Sequence, residues 1–287
     1  MTSIRKRRPR ILRTLAIMVP FLLTIFLTLG VSTDAFAIRN GNGYSTTTGF
    51  DMCPLPSVSQ MQTWRYYSPY YWYSVYIGGD NATCPPGNIS SWLNQVNGQG
   101  WNFEYTWVGP QPPCSGYSNI FSSTPSTAYN EGWNEAGAAV SQLETDGVTN
   151  SASATPLIYD LETAGNGSCQ AAINSFIQGW VDYLNTAPAQ IPGVYGSVCN
   201  SNLGALASLS PPPSFIWGAY YDGNPDTADL SAGGCGVPNG DWTNQQRLKQ
   251  YDHNYTTPPY GGLSLTVDQD CANSITTPSG LETSNCN

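Results

Sequence analysis

Apolar and polar positions along this chain follow two periods that trade places. Runs with a period of two, such as Tyr73–Gly79, Phe103–Val108 and Pro156–Thr163, predict strands, and each precedes a stretch of helical spacing. The clearest helix covers Gln170–Asn185, where Ile173, Phe176, Ile177, Trp180 and Leu184 fall on one stripe. A longer helix is predicted over Thr127–Gly147, with Trp133, Ala136, Val140 and Leu143 in line. Shorter ones follow at Ser57–Ser68 and near Asn88–Gly98. Thr46–Cys53 reads as the first strand, and Gly193–Ser197, Phe215–Tyr221, Leu248–Asp252 and Leu263–Asp268 as the last four. Eight strands alternating with helices predict an α/β fold built as one (β/α)8 TIM-type barrel. Pro211–Pro213 and Gly233–Gly234 interrupt the later crossovers, so helices in the second half are expected to be irregular or missing.

The N-terminal segment has a different pattern. Arg5, Lys6, Arg7, Arg8, Arg10 and Arg13 precede an apolar run from Thr14 to Val31 and a small-residue close at Ala35-Phe36-Ala37. Residues 1–37 therefore read as a secretory signal peptide, with 38–287 as a single domain. A retained membrane anchor is the alternative; Pro20 and the small-residue close favour cleavage.

Charge and cysteine content narrow the function. Beyond residue 37 the chain carries 4 basic and 18 acidic side chains, a net charge of −14. That excludes nucleic acid as a partner, because phosphate binding needs clustered Lys and Arg. After cleavage no apolar run of membrane length remains, which predicts a secreted monomer, extracellular or associated with the cell wall. All eight cysteines follow the leader, an even count that predicts disulfides, with Cys84–Cys114 and Cys271–Cys286 as pairings between neighbouring loops. With no C-x-x-C pair and His253 as the only imidazole, no metal or cofactor is expected. The same count argues against Ser-His-Asp or Cys-His catalysis.

Acidic residues gather at predicted strand ends: Asp51 on the first, Asp160 and Glu162 on the fourth, Asp252 on the seventh, Asp268 and Asp270 on the eighth. In a barrel of this type the strand C-termini form the active face. Asp160 and Glu162 stand at i and i+2, on one side of their strand, with Cα atoms about 6.6 Å apart. A carboxyl pair at roughly 5–9 Å is the working unit of glycoside hydrolysis, one group protonated and one ionised. A Ca²⁺ site or plain solvated acids are the competing readings.

These residues carry a resemblance. Gly49-Phe50-Asp51, Tyr159-Asp160-Leu161-Glu162, Val194-Tyr195-Gly196, Trp217-Gly218-Ala219-Tyr220, Gln250-Tyr251-Asp252 and Val267-Asp268-Gln269-Asp270 occur in the order seen in glycoside hydrolase family 25, the barrel-type lysozymes. The chain resembles more closely the secreted glycoside-hydrolase-like domains of domain-of-unknown-function family 1906. The resemblance implies that Glu162 is the general acid, Asp160 its partner carboxylate, and Asp51 and Asp268 the supporting acids. One departure is the Asp268-Gln269-Asp270 ending, where the lysozymes usually carry Asp-x-Asn.

For substrate contact the candidates are Trp107, Tyr195, Trp217 and Tyr220, aromatic residues at strand ends, together with Asp252 and Asp270. The run from Tyr66 to Tyr73 falls at the opposite end of the barrel and reads as packing. The expected function is hydrolysis of a cell-wall glycan, peptidoglycan first, by carboxylate acid/base catalysis. The alternatives are a silent carbohydrate-binding barrel and a disulfide-stapled surface protein.

Overall fold

The computed structural model describes residues 47–84, 87–148, 155–162, 168–186, 190–243 and 246–274. The leader, Cys286 and hence the Cys271–Cys286 pairing lie outside the described residues. Eight strands close into one barrel in sequence order. They are β1 (Thr47–Asp51), β2 (Trp72–Gly78), β3 (Asn102–Trp107), β4 (Pro156–Asp160), β5 (Ile191–Ser197), β6 (Phe215–Ala219), β7 (Gln246–Thr256) and β8 (Thr266–Ser274). Four α-helices cover the first half: α1 (Val58–Tyr67), α2 (Ser90–Gly98), α3 (Pro125–Thr145) and α4 (Gln170–Leu184). Beyond β5 only short 3₁₀ turns at Leu203–Ser208 and Ala232–Gly234 remain among the described residues, as the Pro- and Gly-rich crossovers predict.

Local chemistry sets these elements. Ser57 caps α1 through a reciprocal box: its hydroxyl accepts from the Gln60 N–H at 3.2 Å, and Gln60 Oε1 accepts from the Ser57 N–H at 2.7 Å. Pro125 opens α3, where a missing N–H costs nothing. The stripe on α4 is buried as its spacing predicts, with Phe176 and Trp180 edge-on to Tyr159 of β4. Helices α3 and α4 cross through glycines. A Cβ on Gly132 would lie 1.9 Å from the Phe176 carbonyl oxygen, and one on Gly179 would lie 2.0 Å from that of Tyr129. Gly179→Ala is therefore expected to cost about 1–3 kcal/mol by forcing the helices apart. Gly98→Ala, in open space at the end of α2, should cost nothing. Urea unfolding of both variants tests this, and equal stabilities would refute it.

Strands β1 to β7 run parallel, but β8 pairs antiparallel with both β7 and β1. A (β/α)8 barrel implies a parallel eighth strand, which needs a long crossover. Only residues 257–265 separate β7 from β8, enough for a hairpin and nothing more. Strand β8 therefore starts at the face where the other seven end. Asp268 still faces Asp51 across the β1–β8 ladder, because the strand lies later in sequence than expected and runs the other way.

The barrel interior is sealed at the far end by Trp72, Ile158, Phe215, Trp217, Leu248 and Ala272. Gly49 and Gly193 leave room for the Trp72 indole and the Phe215 ring, which a Cβ would meet at 2.0 and 2.2 Å. In the aromatic run, Tyr70, Trp72 and Tyr73 are buried, while Tyr66, Tyr67 and Tyr71 are exposed. On the outer face of β7, Arg247 donates to the carbonyls of Ala228, Pro238 and Asp241, holding the loop that replaces a helix.

Between described residues, three disulfides join loops: Cys53–Cys84, Cys114–Cys169 and Cys199–Cys235, with Cα–Cα distances of 6.2, 5.9 and 5.0 Å. The expected Cys84–Cys114 pairing is thus incorrect. Cys84 reaches back to the end of β1, and Cys114 reaches forward to the start of α4. In a parallel barrel the loops that meet are those of adjacent strand ends, and these need not be consecutive cysteines.

Candidate active site

Strand parity decides which side chains meet at the C-terminal end of β1–β7. Asp51, Asp160 and Glu162 project inward and upward, and the reversed β8 adds Asp268 and Asp270. A pocket of about 170 Å³ opens here, bounded by Tyr76, Asn81, Cys84, Tyr117, Asp160 and Glu162 among others. Asp160 forms its floor and is 3% exposed, with Oδ1 lacking any hydrogen-bond partner. Glu162 stands at the mouth, open to solvent.

The Asp160-Leu161-Glu162 peptide extends one step beyond the β-ladder, and side chains hold it there. Gln111, fully buried, donates from Nε2 to the Asp160 carbonyl at 2.8 Å and accepts the Glu162 N–H at 2.9 Å. From the β5 side, the Ser201 hydroxyl meets the Leu161 and Glu162 carbonyls at 2.7 and 3.0 Å. Gln111→Ala would strand a buried N–H and carbonyl, a loss of about 1–3 kcal/mol. Equilibrium denaturation measures it, and an unchanged midpoint would show the amide to be dispensable.

Asp51 accepts from the Tyr76 hydroxyl at 2.7 Å and from Gln250 Nε2 at 2.8 Å. Gln250 Oε1 in turn accepts the hydroxyls of Tyr195 and Tyr221 at 2.7 and 2.9 Å. Burial pushes Asp51 up to about 7, with Asp268 adding repulsion. Burial holds Asp160 well above the usual carboxyl range, helped by Glu162 and Asp51. Asp270 is also well above it, through burial and then the facing charges of Asp51 and Asp268. Glu162 is raised by desolvation and then by Asp268. Asp268 is raised by burial, while the Asn254 N–H and His253 pull the other way. The five acids form one electrostatically linked set, in which several retain protons where isolated carboxyls would have lost them.

The remaining candidates divide by parity. Tyr195 faces inward and meets Trp217 edge-on at 4.8 Å. Trp217 is 1% exposed and donates to Asp270 at 3.1 Å, so it fills the barrel and has no face free for a sugar. Trp107 and Tyr220 point outward. The Trp107 indole donates to Glu135 of α3 at 2.6 Å, and the Tyr220 ring lies 4.9 Å from Lys249 Nζ. Asp252 sits past an irregularity in β7, where its carboxylate accepts the His253 N–H and raises Asp268. Tyr221 occupies the rim position that Tyr220 was expected to take: it is half exposed, its ring tilted against His253 at 4.3 Å between centroids. Counting by twos from Trp217 would have found it. Gln111 left no comparable signal, because it lies in a loop.

A closed barrel that gathers carboxyl side chains at one end, two of them lining a pocket, is the arrangement of glycoside-hydrolase-like proteins. The chain belongs to the family of Rv2525c-like, glycoside hydrolase-like domains, whose family model matches residues 62–272. No curated protein matches it. Among solved structures, the modular autolysin LytC of Streptococcus pneumoniae, in complex with a synthetic peptidoglycan ligand, aligns with a TM-score of 0.51 at 12% identity, over 81% of this chain and 49% of that one. The chain thus spans about half the length of LytC. A muramidase from Acremonium alcalophilum aligns with a TM-score of 0.48 at 16% identity, covering 80% of this chain and 94% of that one. The catalytic domain of endolysin ply40, from bacteriophage P40 of Listeria monocytogenes, gives 0.47 at 14% identity over 80% and 95%.

Proposed function

We propose that this protein is exported and acts on a cell-wall glycan, peptidoglycan first, by carboxylate acid/base chemistry. The observation that carries the reading is the pairing of the buried Asp160, whose Oδ1 has no hydrogen-bond partner, with the solvent-reaching Glu162 in one pocket. Glycoside hydrolysis needs a proton donor that reaches the leaving oxygen and a second carboxylate facing the ring. Glu162 is the donor in this reading, since it alone of the raised acids lining the pocket stands at the mouth. Asp160 serves beneath it as the partner. Desolvation and then Asp268 hold the Glu162 proton, while Asp51 and Asp270, whose carboxyls burial keeps protonated, serve as hydrogen-bonding partners. Three disulfides support an extracellular setting. Among the described residues no helix is long and apolar enough to cross a membrane.

A second reading is favoured by the size of the pocket. At about 170 Å³ it falls below the roughly 300–1,000 Å³ of ordinary ligand sites. The loop stapled by Cys53–Cys84 forms one wall, so a long glycan cleft is not laid open. On this reading the barrel binds wall glycan and turns none over. Release of soluble fragments from purified wall, with Glu162→Gln as control, separates the two. Release that depends on Glu162 supports hydrolysis, and sedimentation with wall but no release supports binding alone.

A further inference from the structure

Acceptors and donors are unevenly distributed in the pocket. The donors of its deeper side chains are already committed: the Tyr76 hydroxyl to Asp51, and Asn81 Nδ2 to the carbonyls of Gly109 and Asn119 at 2.9 and 3.0 Å. Thr83 and Tyr117, both exposed, bring hydroxyls only at the outer edge. Asp160 Oδ1, by contrast, is buried on the pocket floor and accepts nothing. Fixed positive charge is equally lacking. The described residues contain three Lys and Arg side chains, and each is engaged on the outside of the barrel. Arg65 donates to the Gly100 carbonyl and covers Tyr71, Arg247 holds loop carbonyls, and Lys249 pairs with Asp222 at 2.8 Å.

We propose that the pocket takes a sugar bearing a free amine, a de-N-acetylated 2-amino sugar, with its ammonium group set against Asp160 and Glu162. This rests on the reading of the pocket as a glycan site and names the sugar class it prefers. An ammonium brings a full charge and three donors to a place that offers acceptors and no cation. An acetamido group brings one donor, a carbonyl that finds no free side-chain donor deep in the pocket, and three more heavy atoms to fit in about 170 Å³. A bare metal cation suits the site less well, because among the described residues no three His, Cys, Asp or Glu side chains converge to hold one. A bound ammonium would also favour the ionised form of Asp160.

The test is calorimetric binding of three β-1,4-linked trisaccharides at pH 6: the fully de-N-acetylated glucosamine trimer, its fully N-acetylated counterpart, and the neutral glucose trimer. Roughly 0.15 M salt screens general attraction to an acidic protein. The amine trimer is expected to bind at least about tenfold more tightly than either other sugar, the range of one charge-assisted hydrogen bond. Asp160→Asn should erase that preference, and Glu162→Gln should weaken it. The surface variant Glu144→Gln should leave it unchanged. Equal or tighter binding of the N-acetylated trimer, or an amine preference that survives in Asp160→Asn, overturns the proposal. If the N-acetylated trimer alone is bound, the glycan reading stands and only the cationic assignment falls; if none of the three binds, both fall.

Discussion

With Glu162 replaced by Gln, fragment release from cell wall is expected to drop by about a hundredfold to ten-thousandfold, the usual yield of a positioned general acid. Binding to the same wall should persist, because the amide keeps the shape and accepts hydrogen bonds but has no proton to give. The pH profile of the wild type should be a bell with its optimum between about pH 4 and 6.5, glutamate's ordinary value raised modestly. The alkaline limb reports loss of the Glu162 proton. Desolvation and then Asp268 are what raise Glu162, so Asp268→Asn should move that limb to lower pH and leave Asp160 in place. Asp160→Asn should also cripple release, because it removes the partner carboxyl beneath Glu162 in the pocket. Rates for wild type and the three variants across pH 3.5–8 decide the matter. Undiminished release by Glu162→Gln would end the mechanism, and an alkaline limb indifferent to Asp268 would remove that residue from it.

How much of this was readable before the fold was known depended on periodicity. The β/α alternation, the buried stripe of α4 and the shared side of Asp160 and Glu162 all follow from residue spacing. The direction of β8 does not. It turns on the nine residues between Thr256 and Thr266, too few for a crossover, and a count of connection length would have shown the reversal. Nearness to strand ends picks out aromatic residues without regard to parity. Trp107 and Tyr220 therefore point at the outer layer, and Tyr221 takes the rim. Gln111 and Ser201 were invisible for another reason. Each acts through backbone atoms of the Asp160-Leu161-Glu162 peptide, and any loop residue with an amide or hydroxyl looks the same in sequence. Cysteine pairing failed similarly, because neighbours across a barrel mouth are set by strand order and loop height together.

The largest stability effect is expected from pH, and it runs opposite to ordinary acid denaturation. Asp51 is 1% exposed, and its carboxyl rises from 3.8 to about 7 in the folded protein. Asp160 and Asp270 are raised in the same direction, both chiefly by burial. Unfolding returns each to the usual range, where the proton is lost near pH 4. Between the two values the folded chain binds protons that the unfolded chain has released. Stability therefore falls as pH rises. The contribution of Asp51 is complete below 3.8 and lost by the time pH passes about 7. A rise of about three units corresponds to on the order of 4 kcal/mol, a large share of the 5–15 kcal/mol typical of a folded domain, roughly speaking. Urea midpoints with disulfides intact should accordingly be higher at pH 4.5 than at pH 7.5. In Asp51→Asn the slope of stability against pH should flatten by most of that amount. The slope is the quantity to compare, because the asparagine also disturbs the bonds from Tyr76 and Gln250 and so shifts stability at every pH. A wild type that gains stability from pH 4.5 to 7.5, with the variant parallel to it, would mean that these carboxyls lie in a far wetter site than the fold describes.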